Sequence, residues 1–440
     1  MKNLTAALIS LGCDKNTVDS ERMLGMLANA GIAFTGDLAQ ADIIIINTCG
    51  FLQDAVNESK EEVAHAIEFK RAGTCKALVV TGCAATRYRD EFLQNPDVDV
   101  VLGVNEYDQF SARISDVLGL ESPDSPASLS VPRVTSTPRH YAYLRIAEGC
   151  DKHCTYCTIP SIRGAYTSVP MDYLVAEATL LAENGAKELV LVAQDTSLYG
   201  ADIYNEQRLH VLLQKLSKIP GIKWLRVLYC YPEHIYSELL AEMAQNDKIL
   251  QYLDLPIQHS SDKILKLMNR RSTEVQIREN IAKIRNIMPD AVLRTTLITG
   301  FPGENKKDFQ ALCDFVEEIK FNNLGVFAYS REEGTPADKL DDHLQEKTKQ
   351  DRSNHLMAIQ QRVSANKLAQ CDGHVYEVVV DGTDENGIYY GRSYMHAPDI
   401  DGVIFINSES ELEIGEFVQV RIVETWEYDM LGEVVHESAE

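Results

Sequence analysis

Basic side chains are in short supply in this chain: 42 Lys and Arg face 66 Asp and Glu over 440 residues, for a net charge of −24. Neutralising phosphates needs Lys and Arg, so the balance argues against a large nucleic-acid footprint. It permits an acidic face aimed at a basic partner. No apolar run is long enough to span a bilayer, so no membrane partner is expected. The opening MKNLTAALISLGC has a lysine, an apolar stretch and a small residue before Cys13. Thr5 and Ser10 interrupt that stretch, and it is short for a secretory segment, so it reads as a first β-strand. The expected compartment is the cytoplasm. There the ten cysteines are poor disulfide candidates, and clustered ones point to metal or catalysis. There are no internal repeats.

Along the chain, apolar runs alternate with helical stretches. Residues 6–11, 42–47 (DIIIIN), 77–82 (ALVVTG) and 98–102 read as strands, and Thr17–Ala30 and Asp54–Arg71 as helices. Thr17 is the expected cap of the first helix, Glu21 its capping-box partner and Gly31 its stop. Such βαβ units predict a parallel α/β sheet domain over 1–120. Residues 121–138 carry four prolines and many Ser and Thr, and read as a linker. From 139 to 370 the alternation resumes, with strands expected at 141–146, 188–193, 224–228, 252–256, 291–298 and 323–328. Six β/α units fall short of a closed eight-stranded barrel and predict an open, partial (β/α)6 barrel. A long charged helix from His343 to Cys371 ends this part. From 371 to 440 four short alternating segments, HVYEVVVDG, GIYYGRS, GVIFIN and FVQVRIVETW, predict a small all-β barrel.

The strongest chemical signal is Cys150-x3-Cys154-x2-Cys157, in the loop after the first strand of the partial barrel. Three thiolates can hold three irons of a 4Fe–4S cluster, which leaves the fourth iron open to a small molecule. The spacing differs from the paired hooks of structural zinc sites. Cys13, Cys49 and Cys83 form a second set. Each directly follows an apolar run, at the carboxyl end of an expected parallel strand, where open α/β sheets place ligands. One such cysteine would read as a buried small hydrophobe; three at equivalent positions read as a metal site. Cys75, Cys230, Cys313 and Cys371 are read as structural.

The Cys-x3-Cys-x2-Cys spacing, with aromatic Tyr156 before the third cysteine, resembles the radical-SAM signature. The resemblance implies that the open iron binds S-adenosylmethionine and that one electron cleaves it to a radical that takes hydrogen from carbon. A sheet domain with three strand-end cysteines, a radical-SAM core and a small β-barrel together resemble the methylthiotransferase family over essentially the whole chain. Membership would imply two 4Fe–4S clusters, on Cys13, Cys49 and Cys83 and on Cys150, Cys154 and Cys157. S-adenosylmethionine would serve as both radical source and methyl donor, with an external electron donor. The C-terminal barrel resembles a TRAM domain.

Two features point to a branch of that family. The stretches SLGCDKNTVDSE and LPIQHSSDKIL are similar to the RimO type, which methylthiolates an aspartate of small-subunit ribosomal protein S-twelve. Residues 373–440 also hold 16 Asp and Glu against two basic residues, Arg392 and Arg421. A barrel so acidic is not expected to bind RNA directly and suits a basic ribosomal protein. The readings left standing beside this one are a tRNA methylthiotransferase and a non-catalytic iron–sulfur carrier. Tyr156 and Gln194 are the candidate S-adenosylmethionine contacts, with loop packing the plain alternative for Tyr156. Gln194 and its neighbour Asp195, both after the strand ELVLVA, would meet the methionine moiety or simply cap the next helix. The Thr299–Gly303 turn is a weaker candidate, and His259 is read as packing. No general base is assigned, since hydrogen abstraction by a radical needs none.

Overall fold

Ile43-Ile44-Ile45-Ile46 is a β-branched run with no polar alternation, and all four side chains are completely buried. Only a strand covered on both faces accommodates such a run. The computed structural model, which describes residues 4–120 and 133–435, places it at the centre of a five-stranded parallel sheet. Its strands are β1 (Thr5–Ser10), β2 (Ala33–Phe34), β3 (Ile43–Thr48), β4 (Ala77–Gly82) and β5 (Val100–Leu102), in the order β2-β1-β3-β4-β5. Helices Asp14–Asn29 and Gln53–Arg71 bury apolar stripes against this sheet.

The next unit opens with β6 (Tyr141–Arg145) and a two-stranded ribbon, β7 (Ala147–Glu148) with β8 (Thr167–Ser168). Then come β9 (Glu188–Val192), β10 (Trp224–Val227), β11 (Ile249–Asp254), β12 (Val292–Thr299) and β13 (Asn323–Ala328). With β6 they form a six-stranded sheet, parallel throughout, in the order β13-β12-β11-β10-β9-β6. This is the expected open (β/α)6 arrangement. One face, with Leu144, Leu189, Leu225, Leu253 and Leu293, packs on the helices. The long helix Glu346–Leu368 lies against the edge strand β13.

A closed five-stranded barrel follows: β14 (Val375–Thr383), β15 (Tyr389–Arg392), β16 (Ile404–Asn407), β17 (Phe417–Thr425) and β18 (Met430–Val434). It packs on the other face of the six-stranded sheet. Tyr143, Val190, Tyr252 and Val292 of the sheet share one core with Val378, Val380, Ile404 and Met430 of the barrel.

Several expectations are corrected. The first helix starts at Asp14, not Thr17, and its N-cap is Cys13. Thr17 lies inside it, its hydroxyl reaching back to the Cys13 carbonyl at 3.5 Å. β11 begins three residues before the expected start at 252, because Ile249 and Leu250 are part of the buried strand. The barrel has a fifth strand, β18, a five-residue segment whose Gly432 and Glu433 interrupt its apolar pattern and hide it in the sequence. The expected linker, 121–138, falls mostly outside the described residues. Its last part runs along the first helix, where Ser136 N donates to Glu21 Oε1 at 2.7 Å and Val134 N to the Glu21 carbonyl at 3.2 Å.

Candidate metal and cofactor site

Cys13, Cys49 and Cys83 sit just beyond β1, β3 and β4, at one edge of one sheet. The turns that bring them together are tightly specified. Gly82 has φ +96°, and a Cβ there would lie 2.4 Å from Asn47 Oδ1 and 2.5 Å from the Thr48 carbonyl. Only glycine fits. Asn16, 1% exposed, touches all three cysteine loops. Its Nδ2 donates to the Leu11 carbonyl at 2.8 Å and the Thr48 carbonyl at 3.0 Å, and its Oδ1 accepts from Cys83 Sγ at 3.6 Å. Cys13 is the N-cap of a 16-residue helix, which fixes its backbone at the edge of the sheet.

Burial pushes the Cys83 thiol up to about 12; Arg163 opposes the shift, while Cys13 and Cys49 add to it. Burial likewise raises Cys49, with Cys13 again adding. Cys49 packs against the residue before Cys13: a Cβ on Gly12 would lie 3.1 Å from Cys49 Sγ. In the second set, burial pushes Cys157 up to about 12, and Cys154 and Cys150 reinforce it. Burial also raises Cys150, with Cys154 adding. Here the backbone does the positioning. Cys150 N donates to the Gly164 carbonyl at 3.1 Å, Cys157 N to the Cys154 carbonyl at 3.0 Å, and Ile159 N to Cys157 Sγ at 3.5 Å. Thr155 N and Oγ1 anchor the loop to the carbonyls of Met268 and Leu267, at 3.0 and 2.8 Å.

All ten cysteines are free thiols. Among the described residues, no three His, Cys, Asp or Glu side chains converge as ligands of a single ion. In an iron–sulfur cluster each thiolate binds a different iron, so the thiols need only surround a shared space. Two sets of three soft thiols, each crowded and lacking a fourth protein thiol, fit that chemistry.

The candidate S-adenosylmethionine contacts divide. Tyr156 packs edge-on to Phe301, ring centroids 6.4 Å apart, among Ile264, Met268 and Tyr329, so packing alone explains it. Gln194, just beyond β9, donates from Nε2 to Glu148 Oε1 at 2.7 Å, while its buried Oε1 has no protein partner. Asp195 is fully engaged. It accepts from Ser197 Oγ at 2.6 Å, pairs with His234 Nδ1 at 2.8 Å, and has Lys152 Nζ at 3.5 Å. Burial opposes its charge, but His234, Ser197 and Lys152 hold the carboxyl below its ordinary range. Gly300 N donates to Glu304 Oε2 at 2.8 Å, and His259 lies completely buried with its Nε2 3.5 Å from the same carboxylate. The structural reading of His259 fits that position. Cys230, also completely buried, has Thr196 Oγ1 3.3 Å from its Sγ and stands apart from both sets.

Sequence reasoning missed the charges that join the two sets. Arg163, six residues after Cys157, donates to Glu148 Oε2 at 2.8 Å, Asn16 Oδ1 at 2.6 Å and Asp19 Oδ2 at 3.2 Å. Arg145 pairs with Asp19 and, at 2.8 Å, with Glu148. Arg87 Nη1 reaches Glu332 Oε2 at 2.9 Å. An isolated Arg or Asp carries no periodic or spacing signal, which is why none of these stood out.

Comparison with known proteins follows the same three-part division. Family models described as Uncharacterized protein family UPF0004, Radical SAM superfamily and TRAM domain match residues 5–103, 144–316 and 373–435. A protein of Lachnoclostridium phytofermentans called ribosomal protein uS12 methylthiotransferase RimO is 48% identical over 432 residues, covering 96% of this chain and 98% of that one. Its namesake in Clostridioides difficile is 46% identical, covering 99% and 100%. The radical S-adenosylmethionine methyltransferase TsrM from Kitasatospora setae superposes with a TM-score of 0.54 over 88% of this chain and 87% of its own, at 13% identity. At that identity the likeness is one of fold.

Proposed function

The chain belongs to the RimO family of ribosomal protein uS12 methylthiotransferases, and from that membership we propose that it places a methylthio group on the β-carbon of an aspartate in uS12. It is a radical-SAM enzyme, using S-adenosylmethionine and an iron–sulfur cluster. In the proposed division, residues 1–120 hold a second cluster, 139–370 form the radical-generating core with its connecting helix, and 371–440 dock the substrate. The observation that carries the two-cluster reading is the pair of crowded three-thiol sets, tied to each other through Arg163 and Asn16.

Cys150, Cys154 and Cys157 would hold the radical-generating cluster, and Cys13, Cys49 and Cys83 the other. When bound, the clusters and S-adenosylmethionine supply the radical that removes hydrogen from the substrate carbon and the methylated sulfur that replaces it. The chain's own residues do the positioning. Gln194 Oε1, unpartnered beside the first cluster loop, is the candidate acceptor for the ammonium of the methionine moiety. Lys152, Asp195 and His234 brace that loop against β9. The salt bridges of Arg145, Arg163 and Arg87 clamp the sheet domain onto the core and fix the two thiol sets relative to each other.

The barrel's acidity supports a basic protein substrate over RNA, but not all of it faces outward. Asp381 pairs with His140 at 2.7 Å and with Arg392, and Asp401 accepts from Tyr252 Oη at 2.6 Å. Glu409, Glu411, Glu413 and Glu416 remain exposed. The test is anaerobic incubation of reconstituted protein with S-adenosylmethionine, a reductant, a uS12 peptide and bulk tRNA, followed by mass spectrometry of both substrates. A methylthio group on the peptide's aspartate is the expected result. A modified adenosine in tRNA with untouched peptide overturns the substrate assignment.

A further inference from the structure

Arg163 belongs to the radical-SAM core by sequence, yet its guanidinium reaches Asn16 and Asp19 of the sheet domain. It closes the short helix Ile159–Arg163 that follows Cys157, and its side chain is 1% exposed. Nη1 holds Glu148, next to the first cluster loop. Nη2 holds Asn16 Oδ1, the same oxygen that accepts from Cys83. Asn16 in turn ties down the Leu11 and Thr48 carbonyls, one on the loop entering Cys13 and one on the residue before Cys49. Through Asn16 the guanidinium stands one side chain away from Cys83, whose Sγ lies 3.6 Å from Asn16 Oδ1.

Resting on the two-cluster reading, we infer that Arg163 is a positioning residue for the N-terminal cluster: through Asn16 it sets the seat of all three thiolates, and by its buried charge it favours the more negative redox state of that cluster over the less negative one. In a poorly solvated site a fixed cation acts strongly on the charge of a neighbouring centre. Asp19 and Glu148 hold the guanidinium in place, so its field has a fixed direction. A second consequence is geometric. The residue that closes the helix after the third core cysteine also reaches Asn16 among the sheet-domain cysteine loops, so it links the two sets directly.

The experiment is iron analysis and an EPR-monitored potential titration of anaerobically reconstituted full-length protein, comparing wild type, Arg163→Lys and Arg163→Met, with circular dichroism as a check on folding. Wild-type protein with two titrating clusters is the precondition; a single cluster overturns both this inference and the reading beneath it. With two clusters, the expected result for Arg163→Met is either selective loss of the N-terminal cluster or a shift of its potential to more negative values. The core cluster shifts less, and Arg163→Lys restores most of the effect. Unchanged potentials, or equal shifts at both clusters, overturn the role of Arg163 and leave the two-cluster reading standing. Should Arg163→Met fail to fold, Arg163→Lys and Asn16→Ala are read by the same criteria: a selective change at the N-terminal cluster supports the role, and its absence overturns it.

Discussion

Glu188, the first residue of β9, and Arg392, the last of β15, meet at 2.7 Å with both side chains out of solvent. Glu188 also accepts from Arg226 Nε at 2.7 Å, so one carboxylate neutralises a cation from the sheet and a cation from the barrel. Burial opposes its charge, but Arg392 and Arg226 outweigh it and keep the carboxyl below its ordinary range. The barrel is thus joined to the core by a buried ionic contact inside an apolar interface.

Removing one partner of a buried pair strands the other, which costs about 3–5 kcal/mol. Glu188→Ala leaves Arg226 without its carboxylate, while Arg392 keeps Asp381 at 2.8 Å, and is expected to fall within that range. Denaturant unfolding of wild type and variant measures it. A loss under about 1 kcal/mol, the value of a surface pair, shows that the contact does not hold the barrel to the sheet.

The same interface predicts acid sensitivity. His396 is buried, and that burial, reinforced by Arg226 and Arg392 and only partly offset by Asp381, pushes its imidazole from 6.5 down to about 3. Its Nδ1 faces the Ser393 amide and hydroxyl, at 3.4 and 3.2 Å. A group that protonates more readily unfolded than folded stabilises the fold above pH 6.5, and that contribution is lost as the pH falls from 6.5 towards 3. Linkage puts the loss at about 2 kcal/mol between pH 6.5 and pH 5. Unfolding curves at a series of pH values check it: His396→Asn is expected to flatten this part of the acid slope. An unchanged slope assigns the acid sensitivity to other groups.

The architecture and the cysteines were legible in the sequence because both are written in local patterns. The isoleucine run of β3, the six strands of the core and the Cys-x3-Cys-x2-Cys loop each announce themselves within a few residues. Helix starts were less legible: Asp14 and Lys15 look like loop, but Asp14 begins a helix, directly after the extended Cys13 that caps it. The contacts between domains were not legible at all. Arg163 with Asn16, and Glu188 with Arg392, are 147 and 204 residues apart. Nothing in the local pattern around either arginine says which distant group it will meet. The acidity of the barrel was read correctly as a count but incompletely as a surface, because Asp381 and Asp401 point into the core.

The cysteines should separate by iron content. Each three-thiol set is expected to hold about four irons. Cys83→Ala is therefore expected to lose about half the iron of reconstituted protein and keep the core cluster's spectroscopic signature. Cys154→Ala is expected to do the converse. Cys313→Ala serves as control: its thiol is buried in the helix Lys306–Ile319, within the apolar core beneath the six-stranded sheet. It should keep its iron and lose only packing, about 1 kcal/mol for a small buried side chain. Iron loss in the control equal to that in Cys83→Ala would remove the distinction on which the site assignment rests.

The exposed glutamates of the barrel test the substrate assignment from the protein side. Glu409, Glu411 and Glu413 are exposed on the segment between β16 and β17, which touches the core at Gly415, whose carbonyl accepts from Lys187 Nζ at 2.7 Å. If this strip steers a basic substrate, its charges act mainly on encounter, and salt screens them over roughly 10 Å at 0.1 M. Replacing the three with Gln is then expected to raise KM for uS12 several-fold, leave kcat little changed, and flatten the dependence of kcat/KM on ionic strength. A drop in kcat with unchanged KM would mean that the strip acts on the chemistry or the fold. Unchanged kinetics with uS12 would leave the acidity as a means of staying dispersed, and would overturn the docking role of this strip.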